Sequence, residues 1–251
     1  MQNKNLFDYV LRLADTSLIY GQRLSEWCGH GPVLEEDIAM SNTALDYLGQ
    51  ATNLFKYASE LEGNIRDEDQ IAFVRDLSEY HNLLIVEIPN GDYAVTIARH
   101  FLFSQFYFLF LEQLQNSKNE FLSGFAQKSI KEVTYHLEHS GNWVKRMGDG
   151  TEESHNRIQK AINQLWEYTG EFFDMDELDK NMLEVGIAVD NAALQSEWKS
   201  RIVEVLEEAT LLLPADGWHH SGSKSGKHTE HFGFILVEMQ YLQRTFPGAK
   251  W

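Results

Sequence analysis

Apolar side chains recur every three to five positions along most of this chain, which is the period of an amphipathic helix rather than of a strand. Leu6, Tyr9, Val10, Leu13, Leu18 and Leu24 predict a first helix, stopped by Gly29, Gly31 and Pro32. A second runs from about 33 to 61, with Ile38, Leu45, Leu48, Ala51, Phe55 and Ala58 on one stripe. Asp67 and Gln70 have the spacing of a capping box and predict a short helix there. The run LLIVEI within 82–92 has strand-like composition, but no second strand is available to pair with it, so it reads as a buried connector. A third long helix over about 93–115 is apolar nearly all round and belongs at the centre. The fourth covers about 120–147 and ends at Gly148-Asp149-Gly150. Thr151, followed by Glu152 and Glu153, opens a fifth, placing a capping oxygen and negative charge where a helix N-terminus favours them. Another follows Asp190 up to Pro214, and the tail supplies the last, stopping at Pro247. No repeat, low-complexity tract or separating linker interrupts the pattern. The whole predicts an all-α antiparallel helical bundle with accessory helices, as a single domain over residues 1–251.

Charge narrows the partners. Lysine and arginine number 21 against 38 aspartates and glutamates, a formal net charge of -17. Nucleic acid and anionic membranes call for a basic footprint that this composition lacks, whereas a partner with a basic face suits it. Cys28 is the single cysteine, so no internal disulfide can form and a reducing cytoplasm is the expected location. Asp8, Arg12 and Asp15 interrupt the N-terminal stretch, which lacks the apolar core of a signal peptide. The most apolar run, 101–111, contains Ser104 and Gln105 and falls short of the roughly 20 residues of a membrane span.

Bundles that carry chemistry often hold a carboxylate-bridged di-iron centre, built from one Glu on each of two helices and Glu-x-x-His on each of the other two. Glu-x-x-His occurs at Glu152 and His155, in a first turn where acids suit the helix dipole. In the second helix Asp46-x-x-Gly49 stands where an iron-binding relative would carry that pair, and glycine cannot ligate. In the fourth, Glu132-x-x-Tyr135 occupies the matching place, with His136 one position late. Glu132, His136 and His139 share a face by spacing and are the sharpest metal candidate, which would make the chain a divergent metal-dependent oxidase. The competing reading is a hydrogen-bonded polar layer. The third helix has Ser104 and Gln105 at its middle and the first has Tyr20 and Gln22, with Glu26 only near its end, so carboxylates for an iron pair are too few.

In the tail, His228, Glu230 and His231 resemble metal ligands, but they also straddle a helix start that Thr229 could cap. The loop Gly222-Ser223-Lys224-Ser225-Gly226-Lys227 lacks phosphate-loop spacing and follows no strand. It reads as a flexible basic contact loop for a partner or an anionic ligand, with Lys224, Lys227, His228 and His231 as candidate contacts. No Gly-x-Ser-x-Gly elbow occurs. Cys28, two residues before His30, reads as a half-buried structural cysteine rather than half of a catalytic dyad.

Five segments, QRLSEWCGHGPVLEEDIA (22–39), ALDYLGQA (44–51), FSQFYFLFLEQL (103–114), IKEVTYHLEHS (130–140) and the tail HTEHFGFILVEMQYLQR, together resemble the PaaC family of phenylacetic acid degradation proteins. These are C subunits of the ring-1,2-phenylacetyl-CoA epoxidase, and the resemblance spans essentially the whole chain. It implies a ferritin-like fold and a structural, non-catalytic subunit that pairs with a homologous A subunit, in which the di-iron centre lies. A small B subunit and a reductase with FAD and an iron–sulfur cluster would complete the assembly, and this chain would hold no cofactor itself. A homodimer of the isolated chain stays open, as does CoA phosphate held by Lys224 and Lys227. No catalytic residue carries over, because Asp46, Gly49 and Tyr135 depart from the iron motif.

Overall fold

The computed structural model describes residues 2–249, and among them there is no strand. The α-helices are α1 (Gln2–Ser25), α2 (Leu34–Leu61), α3 (Glu68–Phe73), α4 (Tyr93–Leu114), α5 (Glu120–Gly148), α6 (Glu152–Leu165), α7 (Glu177–Glu184), α8 (Asn191–Glu208) and α9 (Phe232–Thr245). Two long antiparallel pairs, α1 with α2 and α4 with α5, plus accessory helices give the all-α, ferritin-like architecture expected from the sequence. The residues gather into two compact units, 1–89 with 222–251, and 90–221.

In the first unit α1 and α2 pack along their lengths, burying Tyr9, Val10, Ala14, Leu18 and Ile19 of the one and Tyr47, Ala51, Leu54, Phe55 and Ala58 of the other. Gly21 brings the helices close, since a Cβ there would sit 2.9 Å from Leu48 Cγ. The stripe expected on α2 needs correction: Ile38 and Leu45 are 51 % and 64 % exposed, and the buried face runs through Met40, Ala44, Tyr47, Ala51 and Leu54. This helix is apolar on two sides, so spacing alone could not say which side faces in. The capping box of α3 forms as expected, with Gln70 N–H donating to Asp67 Oδ1 at 2.7 Å and Asp67 N–H to Gln70 Oε1 at 3.1 Å. The LLIVEI connector is a buried 310 turn over Leu84–Glu87. Cys28 is exposed, not half-buried, because α1 has already ended at Ser25 and the chain there is an open turn.

In the second unit α4 packs against α5, α6 and α8. Its length and composition would suffice to cross a membrane, yet 89 % of its most apolar window is buried inside the protein, as suits a core helix. Asp92, Asn119, Thr151 and Asp190 each accept a backbone N–H three residues on and so cap α4, α5, α6 and α8. The 310 turns over 166–173 and the helix α7 are not expected from the periodicity of the sequence. Helix α8 stops at Glu208, well short of Pro214. Thr210 adopts a left-handed φ of 57°, Thr210 N–H donates to Glu207 O at 3.1 Å and Leu211 N–H to Leu206 O at 2.8 Å, which is a Schellman ending built on threonine instead of glycine.

Candidate functional site

The tail motif is built into the first unit around one buried acid. Glu87, the lone charge in LLIVEI, is fully buried, and four donors converge on its carboxylate: His228 Nδ1 at 2.6 Å, Thr229 N–H and Thr229 Oγ1 at 2.7 Å each, and Asn82 Nδ2 at 2.8 Å. The other ring nitrogen of His228 lies 3.0 Å from Tyr80 O, so both ring nitrogens are engaged inside the unit. The imidazole also stacks on Phe232, with ring centroids 4.2 Å apart. Arg23 donates to the Glu87 carbonyl through Nε and a terminal nitrogen, at 3.1 and 2.8 Å. A second buried pair lies nearby: Arg75 meets Asp15, which also accepts His81 N–H at 3.0 Å. Gln240 of α9 reaches Arg75 O at 2.8 Å and Tyr80 Oη at 2.9 Å. Burial raises the Tyr80 phenol to about 12. The arrangement is a latch that fixes the tail and α9 to the 75–88 segment.

The glycines of the preceding loop serve that latch and not a phosphate. Ser223–Ser225 is a 310 turn bracketed by Gly222 at φ 118° and Gly226 at φ 73°, and a Cβ at Gly226 would collide with the Ser78 carbonyl. Ser223 is buried. Two left-handed glycines and a close backbone approach shape this turn of the basic loop. Among the expected contact residues, His228 has its side chain only 1 % exposed and engages both nitrogens inside the unit. Lys227 is exposed, while Lys224 and His231 are half-exposed. The residue before α9 is His231, with no side-chain cap. Thr229 instead donates its hydroxyl to Glu87 and accepts His231 N–H at 3.3 Å, so the expected capping role is corrected.

The polar layer of the second unit centres on His100 and His136, both fully buried, with ring centroids 5.5 Å apart. His100 Nδ1 lies 3.4 Å from Ser104 Oγ. Burial pushes the His100 imidazole well below its ordinary range, and His136, His139 and Arg99 push the same way. His139 is half-buried beneath Tyr135, whose ring stacks on it at 5.9 Å. Glu132 is half-buried.

These positions decide how the chain would receive iron. Gly49 is exposed, with nothing within 4 Å of where its Cβ would stand, and Asp46 is half-buried. The inward residues of α2, also three apart, are Tyr47 and Gln50. On α5 Tyr135 is half-exposed and His136 is the inward residue. Both degenerate pairs expected from spacing are thus displaced by one position from the side that is buried. The buried carboxylates among the described residues are Asp15, Glu87, Glu171 and Asp179; Arg75 holds Asp15, the tail holds Glu87, and the Asp176 N–H donates to Asp179. No group of three or more His, Cys, Asp or Glu side chains among the described residues is arranged to hold a metal ion, and Glu132, His136 and His139 do not come together as one. Within its own unit, neither the phenol and amide of Tyr47 and Gln50 nor the imidazoles and hydroxyl of His100, His136 and Ser104 fit a carboxylate-bridged iron pair.

Similarity to known proteins covers the whole chain. The family described as Phenylacetic acid catabolic protein matches residues 1–251. The chain belongs to that family. Within it, the chain is similar to the C subunit of the 1,2-phenylacetyl-CoA epoxidase of Escherichia coli (strain K12), 47 % identical over 243 residues, covering 97 % of this chain and 98 % of the relative. Membership in the phenylacetic acid catabolic proteins agrees with the ferritin-like helical architecture.

Proposed function

We propose that this chain is a non-catalytic structural subunit of a phenylacetyl-CoA epoxidase, pairing with and stabilising a homologous di-iron catalytic subunit. The observation that carries the reading is the 47 % identity to the C subunit of an epoxidase, on a chain whose buried polar residues include, unit by unit, Tyr47 and Gln50 on α2 and His100, Ser104 and His136 on α4 and α5. Phenol, amide, hydroxyl and imidazole groups cannot balance the charge of two irons. Iron would belong to the partner subunit, and FAD and the iron–sulfur cluster to a reductase, while a small B subunit would join them in a cytoplasmic assembly. Lys227, Lys224 and His231 stay as candidate contacts for a partner or for CoA phosphate, while His228 acts through the latch. Co-expression with the catalytic subunit tests the reading. The pair should co-purify in equal amounts, and the catalytic subunit alone should lose solubility or activity. A catalytic subunit that is stable and fully active alone would refute it.

A further inference from the structure

The outer side of α2 carries aliphatic side chains that nothing among the described residues covers. Leu34 is 72 % exposed, Ile38 51 % and Leu45 64 %, with Val33 at 52 % just before the helix. They are not scattered. Ile38, Leu45 and Thr52 stand seven apart and Leu34 lies four before Ile38, which is the spacing of a seam between packed helices, running along about 27 Å at 1.5 Å per residue. Gly49 lies on the same side, exposed in mid-helix, with no left-handed φ and no intramolecular neighbour that requires it. A mid-helix glycine weakens a helix relative to alanine, and its use is the close approach of another group to the backbone. Glu35, Asp37 and Asp46 flank the line, with Lys56 one turn past Thr52. A second copy of a chain with net charge -17 would set acid against acid there, which disfavours self-pairing through this face.

We propose that the line Leu34–Ile38–Leu45, with Gly49 beside it, docks an amphipathic helix of the partner subunit whose apolar stripe is rimmed by lysine and arginine. The inference rests on the proposed pairing with a catalytic subunit and adds the face and the chemistry of its occupant. The exposed side of α9, with Phe234, Val237 and Tyr241, is apolar too, but Glu238 and Arg244 give its rim both signs, so nothing there selects a partner.

The test is co-purification of the catalytic subunit with the co-expressed, tagged chain, wild type or variant, with the affinity read from dissociation of the purified pair on dilution. Ile38→Glu with Leu45→Glu, and separately Gly49→Leu, should each weaken pairing by at least about a hundredfold, as expected for the centre of an interface. Glu35→Lys should weaken it about threefold to tenfold at low salt and less as salt rises. The substituted sites are exposed, so the isolated variants should melt within a few degrees of wild type, and Gly49→Ala should melt higher. Val237→Glu with Tyr241→Glu should leave pairing unchanged. Wild-type affinity in both the double-glutamate and Gly49→Leu variants overturns this inference alone, as does loss of pairing confined to the α9 variant. Abolished self-association with intact pairing would make the occupant a second copy and overturn it likewise. No pairing by the wild-type chain would overturn the pairing itself, and this inference with it.

Discussion

Glu87 is a carboxylate held in a fully buried site by four donors, and the cost of removing one of them is set by what remains uncompensated. His228→Ala leaves the acid with Asn82 and Thr229 but without its shortest contact, the 2.6 Å one to His228 Nδ1. The expected loss is about 3 kcal/mol in urea denaturation, with faster proteolysis after residue 221 as α9 detaches. Unchanged stability would mean that the latch contributes little. His100 supports a prediction in pH. Its folded imidazole is held well below the ordinary 6.5 by burial and then by His136, His139 and Arg99, so the unfolded chain takes up a proton first as pH falls. Stability present above about pH 6.5 is therefore lost below it, by at most about 1.4 kcal/mol per pH unit from this one group. Melting curves of wild type and His100→Gln between pH 7.5 and 5.5 should diverge accordingly, with the variant less sensitive to acid. Tyr80 acts at the other end. Its phenol, raised to about 12, keeps its proton while the unfolded chain loses one, so the stability it contributes falls as pH rises past about 10. Tyr80→Phe should lessen that alkaline loss.

At the scale of elements, what the sequence made legible was local. Caps at Asp67 and Thr151 and the ends of α2, α4 and α5 follow from a few neighbouring residues and are found within a residue of where periodicity puts them. The buried face of α2 was not legible, because two apolar stripes compete and only packing against α1 decides between them. The inward polar residues of α2 are Tyr47 and Gln50, each one position on from Asp46 and Gly49, and spacing alone does not separate the two sets. The latch joins residues 141 apart, beyond any local pattern, although a single acid inside LLIVEI was a usable signal that a buried donor would have to meet it. Nor does composition reveal a helix that ends on a left-handed threonine. Thr210→Gly should relieve that conformation and stabilise the chain by about 1 kcal/mol, less the weak 3.3 Å bond from Thr210 Oγ to Gly148 O. A drop in melting temperature would show that the hydroxyl contact outweighs the backbone strain.

At the scale of the whole molecule, this is an acidic, all-α chain of the phenylacetic acid catabolic family in which the buried acids Asp15, Glu87 and Asp179 hold structural partners. The proposed supporting role accounts for this pattern: such a subunit would leave the iron chemistry to its partner. Iron content measured on the separated subunits of an iron-loaded complex tests this most directly. The account predicts about two irons per pair, all retained by the partner, with this chain carrying less than about 0.1 per molecule. Iron bound stoichiometrically to this chain, or epoxidation by it in the partner's absence, would contradict the account.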